Sequence, residues 1–194
     1  MDENGLSALP ARLVPWFAAA KRDLPWRRDR EPYHVWVSEI MLQQTRVEAV
    51  IGYYERFLKA LPDIRALADA PEDKLLKLWE GLGYYSRARN LQKAARQVIE
   101  RHDGIFPRDA ADIRALAGIG DYTAGAIGSI CFEYPTAAVD GNVLRVVSRV
   151  TGSDAPIDRP ETKKKIAADL SAVYPAGHCG DFTQSLMELG ATVC

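Results

Sequence analysis

Apolar residues recur at helical spacing along almost all of this 194-residue chain, and this periodicity constrains the fold more than any other feature of the sequence. Between residues 9 and 22 they recur at Leu9, Leu13, Trp16, Phe17 and Ala20, which places them on one face of a helix. We find no alternating β-branched stretch bounded by hairpin turns. The pattern therefore predicts an all-α fold.

Proline and glycine residues divide the chain into about ten helices. The predicted helices cover residues 9–22, 34–49, 50–61, 71–79, 86–102, 109–117, 122–132, 142–152, 160–173 and 181–194.

Two of these helices are joined only by Gly118-Ile119-Gly120, a connection so short that it requires a tight helical hairpin. The glycines let backbone N–H groups face outward where the second helix begins, and the helix dipole favours an anion at that end. Such a turn can bind a DNA phosphate without cationic side chains. The alternative is an ordinary helical corner, in which the glycines only permit the bend.

Whether this turn binds phosphate or only forms a corner is important because the chain as a whole is not basic. It has 25 Lys and Arg against 26 Asp and Glu, a net charge of −1. Binding of nucleic acid would then depend on local basic groups and helix N-termini rather than on an overall positive field. No apolar run approaches the roughly 18 residues of a membrane span, and the N-terminus lacks a signal-peptide pattern. We therefore expect a soluble, cytoplasmic protein with no membrane partner.

Glu39 and Asp140 are the candidate catalytic carboxyl groups. Val35 and Leu42 flank Glu39 on one helical face, so we expect it to be desolvated, which raises a carboxyl pKa as a general acid requires. Asp140 precedes a helix, where it can act as an N-cap or as a fixed anion facing a cationic transition state. One protonated and one ionised carboxyl group suit cleavage at an anomeric carbon. A solvated or Arg-paired Glu39 and a purely structural Asp140 are the alternatives.

Two loops combine aromatic and cationic side chains. Tyr84 and Tyr85 lie on a glycine-flanked loop just before Arg87, a combination that suits stacking on bases and contact with phosphates. We expect one of these tyrosines to be anchored in the core. Trp26 beside Arg27 is a weaker example of the same pattern.

Metal and nucleotide chemistry have little support in the sequence. The three cysteines, Cys131, Cys179 and Cys194, match no disulfide framework and no complete metal motif, which favours a reducing compartment. The histidines show no ligand spacing, and neither a phosphate-binding glycine motif nor a nucleophile elbow occurs.

The chain resembles the helix-hairpin-helix DNA glycosylase superfamily, and within it the adenine DNA glycosylases of MutY type, over about residues 13–194. The motifs that carry the resemblance are, in the family's order, SEIMLQQT, GLGYYSRARNL, LAGIGDYTAGAI, AVDGNVLRVVSR and FTQSLMELGATVC. It implies a helical barrel lobe at 23–137 that contains the hairpin, and a second lobe formed by 1–22 with 138–194. It also implies a monofunctional enzyme that extrudes adenine mispaired with 8-oxoguanine or guanine and hydrolyses its N-glycosidic bond in base excision repair.

The resemblance implies roles for the residues at matching positions. Glu39 would protonate N7 of adenine and later assist water, and Asp140, with Asn142 beside it, would stabilise the sugar cation. Tyr122 stands where the related endonuclease III-type lyases have a lysine nucleophile, and a phenol cannot form a Schiff base. The positions that line the adenine pocket are Arg22, Trp26, Arg27, Leu42, Gln184 and Glu188. The positions that contact DNA are Gln44, Thr45, Tyr84, Arg87, Gly118, Ile119 and Gly120, with Gln44 and Tyr84 wedged into the opened duplex.

Cofactor and partners follow from the same resemblance. The family has four cysteines for a [4Fe–4S] cluster, and Cys194, the last residue of this sequence, matches the first of them. We therefore expect a truncated catalytic region that does not assemble the cluster and lacks the C-terminal domain that senses 8-oxoguanine. The family also allows a monovalent or calcium ion at the hairpin. The implied partner is double-stranded DNA with A:8-oxoguanine or A:G mispairs, bound by a monomer at the nucleoid.

Two other functions stay open. An endonuclease III-like glycosylase and AP lyase acting on oxidised pyrimidines would share the hairpin and the aspartate. A non-catalytic DNA-binding helical module is the third hypothesis, and it would bind DNA in a salt-sensitive way without releasing a base.

Overall fold

The computed structural model describes residues 3–194, and no β-strand occurs in that range, which confirms the all-α fold. None of the helices in this part of the chain is long and apolar enough to cross a membrane. The α-helices are α1 (Glu3–Ser7), α2 (Leu9–Ala20), α3 (Pro32–Met41), α4 (Val47–Ala60), α5 (Ile64–Asp69), α6 (Glu72–Trp79), α7 (Ser86–His102), α8 (Ala110–Ala115), α9 (Asp121–Phe132), α10 (Gly141–Thr151), α11 (Pro160–Ser171) and α12 (Cys179–Thr192), with a short 3-10 helix at Pro25–Arg27.

The helices form two compact units. The central unit is Asp23–Thr123, and the terminal unit combines the described residues up to Arg22 with Ala124–Cys194. The second boundary between them therefore falls inside α9. The lobes at 23–137 and at 1–22 with 138–194 stay a prediction.

The terminal unit is held together by an apolar cluster to which α1, α2, α10, α11 and α12 contribute. On α10, Val143, Val146 and Val147 follow the i, i+3, i+4 spacing of a single helix face, and all three are buried. The buried members of the cluster are Leu6, Leu9, Leu13, Val143, Leu144, Val146, Val147, Ile166, Leu170, Phe182 and Leu186. Because this face anchors α10, it also fixes the start of that helix, where Asp140 lies.

The central unit has α3 as its most buried helix, since every residue from 35 to 41 is buried. Trp36 is fully buried and packs against the ring of Phe106, with 5.5 Å between ring centroids. Phe57 on α4 meets Trp79 on α6 edge-on, with centroids 6.0 Å apart. Aromatic side chains thus connect α3, α4 and α6 to the rest of this unit.

The prediction of one helix over residues 34–49 is wrong, because α3 ends at Met41 and α4 begins only at Val47. Gln44, between them, has a φ of 57° and lies in the left-handed region, which interrupts a right-handed helix. Nothing in the apolar spacing signals this break.

The short connection between α8 and α9 forms the predicted hairpin. Gly118 has a φ of 77°, which glycine tolerates and other residues rarely adopt. The backbone N–H of Ala117 donates to Gln97 Oε1 over 2.8 Å, and this bond ties the turn to α7. Arg114 and Asp121 form an exposed ion pair from one helix to the other.

We expect Gly118→Ala to lower the free energy of unfolding by about 1–3 kcal/mol, because alanine is strained at a positive φ. Its Cβ would also lie 2.8 Å from Cβ of Asn90. Gly120→Ala is the matched control, since no heavy atom lies within 4 Å of its added Cβ and its φ is not positive. It should leave stability unchanged or raise it by up to about 1 kcal/mol. Urea unfolding monitored by circular dichroism measures both, and equal losses would contradict the assignment of the bend to Gly118.

Candidate functional site

Glu39 lies near the C-terminal end of α3 in the central unit, and only 6% of the residue is exposed. The phenol of Tyr122, in the first turn of α9, donates a hydrogen bond to Glu39 Oε2 over 2.7 Å. The structure therefore brings together two of the predicted catalytic residues, and Glu39 is buried as its apolar flanks indicate.

Gln44 and Tyr84, the predicted wedge residues, share an unusual backbone conformation. Their φ angles are 57° and 45°, and both side chains are exposed, Tyr84 by 64%. Non-glycine residues in the left-handed region persist only where the surrounding structure holds them, and they are concentrated at functional sites. Tyr85 is exposed as well, so the prediction that one of the two tyrosines is anchored in the core is wrong. Next to Gln44, the Thr45 hydroxyl donates to the carbonyl of Gln43.

The sequence predicts that Arg87 contacts DNA. In the structure its guanidinium donates instead to main-chain carbonyls of its own unit. Nη1 donates to the carbonyl oxygens of Ile40 (2.9 Å), Met41 (3.2 Å) and Gln43 (2.6 Å), and Nη2 to those of Leu82 (2.9 Å) and Gly83 (3.3 Å). One side chain thus binds the C-terminal end of α3 and the loop that precedes α7.

The predicted pocket residues of the central unit differ in exposure. Trp26 is 8% exposed and packs edge-on against Tyr54, with 5.5 Å between ring centroids, so most of its ring belongs to the core of the unit. Arg27 and Leu42 are half-buried.

The hairpin offers main chain rather than side chains to a ligand. Gly118 and Gly120 are exposed, whereas the apolar side chain of Ile119 is buried. Ile119 therefore anchors the turn, and a phosphate would meet backbone N–H groups near the start of α9.

In the terminal unit, Asp140 is the N-cap of α10. Its Oδ1 accepts from the backbone N–H of Val143 (2.8 Å), and its Oδ2 accepts from Nδ2 of Asn142 (2.9 Å). The structure places these two predicted residues together and orients the carboxylate through both oxygens. The cap and the functional role are therefore compatible.

Arg22 and Glu188, both predicted at the adenine pocket, form a bidentate ion pair in the terminal unit. Arg22 Nε donates to Oε1 over 2.7 Å and Nη2 donates to Oε2 over 2.8 Å, while the backbone N–H of Arg22 also donates to Oε1. Glu188 is 1% exposed, so its charge depends on this partner. Gln184, one turn earlier on α12, is half-buried.

Sequence reasoning missed two residues that support the site in the terminal unit. Arg145 Nη2 donates to Asn142 Oδ1 (2.7 Å) and to the carbonyl of Gly190 (2.6 Å), and its position three residues after Asn142 on one helix was the available signal. Glu133 Oε2 accepts from the backbone N–H of Cys179 over 2.6 Å at the start of α12. No local pattern indicates that pair, because the two residues are far apart in the sequence.

The residues present do not fit an iron–sulfur cluster. Cys179 is buried, Cys131 is half-buried, and the thiol of the exposed Cys194 lies 2.7 Å from Nη1 of Arg149. Among the side chains that the structure describes, those of residues 5–194, no group of three or more His, Cys, Asp or Glu could hold a metal ion.

Comparison with known proteins relates this chain to DNA repair. Residues 37–175 match the family model described as "HhH-GPD superfamily base excision DNA repair protein". The curated adenine DNA glycosylases of Mus musculus and Homo sapiens are 45% and 44% identical to this chain over its whole length, and that of Buchnera aphidicola subsp. Baizongia pistaciae is 42% identical over 90% of it. The chain spans only 39%, 37% and 49% of these three relatives.

Solved structures share the fold. A thermostable thymine-DNA glycosylase matches with a TM-score of 0.87 and 27% identity, over 98% of this chain and 88% of that one. A non-covalent endonuclease III–DNA complex matches with a TM-score of 0.83 and 21% identity, over 100% of this chain and 88% of that one.

We expect Glu188→Gln to lower the free energy of unfolding by about 2–3 kcal/mol, because it leaves a guanidinium facing a neutral amide in a buried site. Glu72→Gln is the matched control, since it removes a carboxylate that pairs with Arg89 at 2.7 Å where both side chains are more than half exposed. That change should cost less than about 1 kcal/mol. Urea unfolding of both variants measures the difference, and similar losses would show that burial does not strengthen the Arg22–Glu188 pair.

Proposed function

This chain belongs to the HhH-GPD superfamily of base excision DNA repair proteins, and from that premise we propose that it is a monofunctional DNA glycosylase that hydrolyses the N-glycosidic bond of adenine mispaired with 8-oxoguanine or guanine. The observation that carries the proposal is the hydrogen bond from the Tyr122 phenol to the buried Glu39 carboxyl group. It places a candidate acid next to a side chain that cannot act as a Schiff-base nucleophile.

Glu39 is the proposed proton donor. Adenine leaves poorly as an anion, and a proton on N7 turns it into a neutral leaving group. Since Tyr122 donates to Oε2, that oxygen acts as an acceptor, and the acidic proton belongs on Oε1. After the transfer, the same hydrogen bond stabilises the carboxylate, which can take a proton from the attacking water as its oxygen bonds to C1′ of the sugar. That second transfer restores the acid.

Asp140 is the proposed stabiliser of the sugar cation. Its two oxygens accept from Val143 and Asn142, which holds an ionised carboxylate in one orientation without neutralising it. A fixed negative charge of this kind lowers the energy of an oxocarbenium-like transition state more than that of the neutral substrate. Glu39 and Asp140 belong to different units, and their joint action is part of the proposal.

Recognition of the base and of DNA is assigned to the remaining residues. The proposed adenine pocket consists of Arg22, Trp26, Arg27, Leu42, Gln184 and Glu188. Because Glu188 balances the charge of Arg22 and is itself buried, this pair would offer the remaining donors of the guanidinium rather than a net charge. The proposed DNA contacts are Gln44, Thr45 and Tyr84 at the opened duplex and the 118–120 turn at the backbone.

The proposed partner is double-stranded DNA with A:8-oxoguanine or A:G mispairs, bound by a single copy of the chain. The adenine DNA glycosylases that it resembles support this choice of base. A protein with this substrate would act at the nucleoid, in the cytoplasm.

We expect Glu39→Gln to slow single-turnover release of adenine from an A:8-oxoguanine duplex by at least about a thousandfold, the range of general acid catalysis. Binding to the same duplex, measured by fluorescence anisotropy, should survive. Glu72→Gln, a surface change of the same chemistry, should leave both quantities at the wild-type level. A Glu39→Gln variant with an unchanged rate would refute the proposed acid.

We also expect borohydride to trap no covalent adduct between this protein and a duplex that contains the mispair, because Tyr122 replaces the lysine of the lyases. An endonuclease III-type enzyme on an oxidised pyrimidine is the positive control. Efficient trapping would favour the lyase alternative. Salt-sensitive binding with neither trapping nor adenine release would favour the non-catalytic module.

A further inference from the structure

Gln44 and Tyr84, two of the exposed left-handed residues of the central unit, each directly follow a residue that Arg87 binds. The carbonyl of Gln43 accepts from Nη1 over 2.6 Å and the carbonyl of Gly83 accepts from Nη2 over 3.3 Å. Gln44 and Tyr84 come next in the chain, with φ angles of 57° and 45°. One guanidinium therefore touches the peptide group before each of them.

This contact restricts the backbone of the residue that follows. The carbonyl of one residue and the N–H of the next lie in the same planar peptide unit. A hydrogen bond that fixes the direction of the carbonyl of Gln43 therefore fixes the plane from which φ of Gln44 is measured, and the same holds for Gly83 and Tyr84. Strained conformations of this kind cost of order 1–3 kcal/mol each and persist only when neighbouring groups enforce them.

Arg87 is well suited to this task. The carbonyls of Ile40 and Met41 are at the end of α3, where helical carbonyls lack intrahelical partners, and Arg87 supplies the donors. The guanidinium carbon lies 5.5 Å from the ring centroids of both Trp79 and Tyr84. A planar fork reaches both loops at once, whereas the single nitrogen of lysine cannot.

The same contacts keep the guanidinium of Arg87 from binding a DNA phosphate. Both Nη atoms donate to main-chain oxygens, and Nε is enclosed by protein and makes no hydrogen bond within the described residues. Burial lowers the pKa of this guanidinium from its ordinary value, as expected for a charge partly removed from water. A phosphate could reach it only by displacing these carbonyls.

We propose that Arg87 is a positioning residue that holds Gln44 and Tyr84 as a preformed pair of wedges for the opened duplex, and that it makes no contact with a DNA phosphate. The role of the wedges rests on the proposed function. With both residues already in place, opening the duplex does not carry the additional cost of ordering two loops.

Amide hydrogen exchange of the free protein tests the positioning without reference to activity. Arg87→Lys keeps the charge and loses the fork, so exchange should become at least about tenfold faster at 43–46 and 83–85, the equivalent of losing about 1.4 kcal/mol of local stability. The amides in the middle of α7 should keep their protection, which shows that the variant is folded. Arg89→Lys is the matched control, because Arg89 lies two residues further on the same helix and pairs with Glu72 at the surface.

DNA binding then separates positioning from a phosphate contact. The slope of log K against log salt for an undamaged duplex should be the same for wild type and Arg87→Ala, whereas loss of one phosphate contact would reduce it by about 0.9. With 2-aminopurine in place of the mispaired adenine, Arg87→Lys should show a fluorescence increase several-fold smaller than wild type, since unstacking of the base produces that signal. Arg89→Lys should match wild type.

The outcomes identify which proposal fails. Unchanged exchange at both loops, or a salt slope reduced by about 0.9 in Arg87→Ala, would overturn the positioning role. Faster exchange at both loops in Arg87→Lys, together with a wild-type protein that releases no adenine, would support the positioning role and refute the proposed function.

Discussion

The hydrogen bond between Tyr122 and Glu39 is the interaction on which the candidate site of the central unit depends. It joins the C-terminal end of α3 to the first turn of α9, and α9 begins directly after the Gly118–Gly120 turn. The backbone groups that would meet a DNA phosphate and the phenol that donates to Glu39 are therefore only a few residues apart. A phosphate seated at the turn would lie two to four residues along the chain from the Tyr122 phenol, which donates to the proposed proton donor. Binding of the DNA backbone and orientation of Glu39 would then be linked through the start of α9.

Three carboxylates of the terminal unit each have a specific partner that determines their direction. The carboxylate of Glu188 is matched by Arg22, and Glu133 accepts from the N-terminal end of α12. Asp140 likewise caps α10. Partnering of this kind would let a chain with a net charge of −1 bind a polyanion. Oriented donors and local pairs replace an overall positive field, and the specificity for DNA would come from geometry rather than from the number of cations.

The sequence was sufficient for the fold class, for the hairpin and for the burial of Glu39, because each is encoded by residues that are close together in the chain. Apolar spacing shows which side chains share a helix face, and the two glycines leave little choice of connection. Apolar spacing does not show which distant residues pack against that helix face. At the break between α3 and α4, Arg87 binds the carbonyls of Ile40, Met41 and Gln43 from more than 40 residues away in the sequence. The same limit applies to Trp26, whose burial against Tyr54 on α4 no local pattern indicates.

Burial of the proposed acid and exposure of the proposed wedges would both follow from one requirement. A buried acid on α3 is protected from bulk water, but a base stacked inside a duplex cannot approach it. Chemistry at Glu39 therefore requires that the base leave the helix, at a cost of a few kcal/mol for unstacking and unpairing. Gln44 and Tyr84 are exposed residues with left-handed backbones, and under the proposed function they would fill the space that an extruded base leaves behind. On this argument, the free-energy cost of ordering the two wedges is met when the protein folds and not when the base is extruded. The hydrogen bonds of Arg87 offset that cost in the folded protein, and the strain at these two positions is therefore retained.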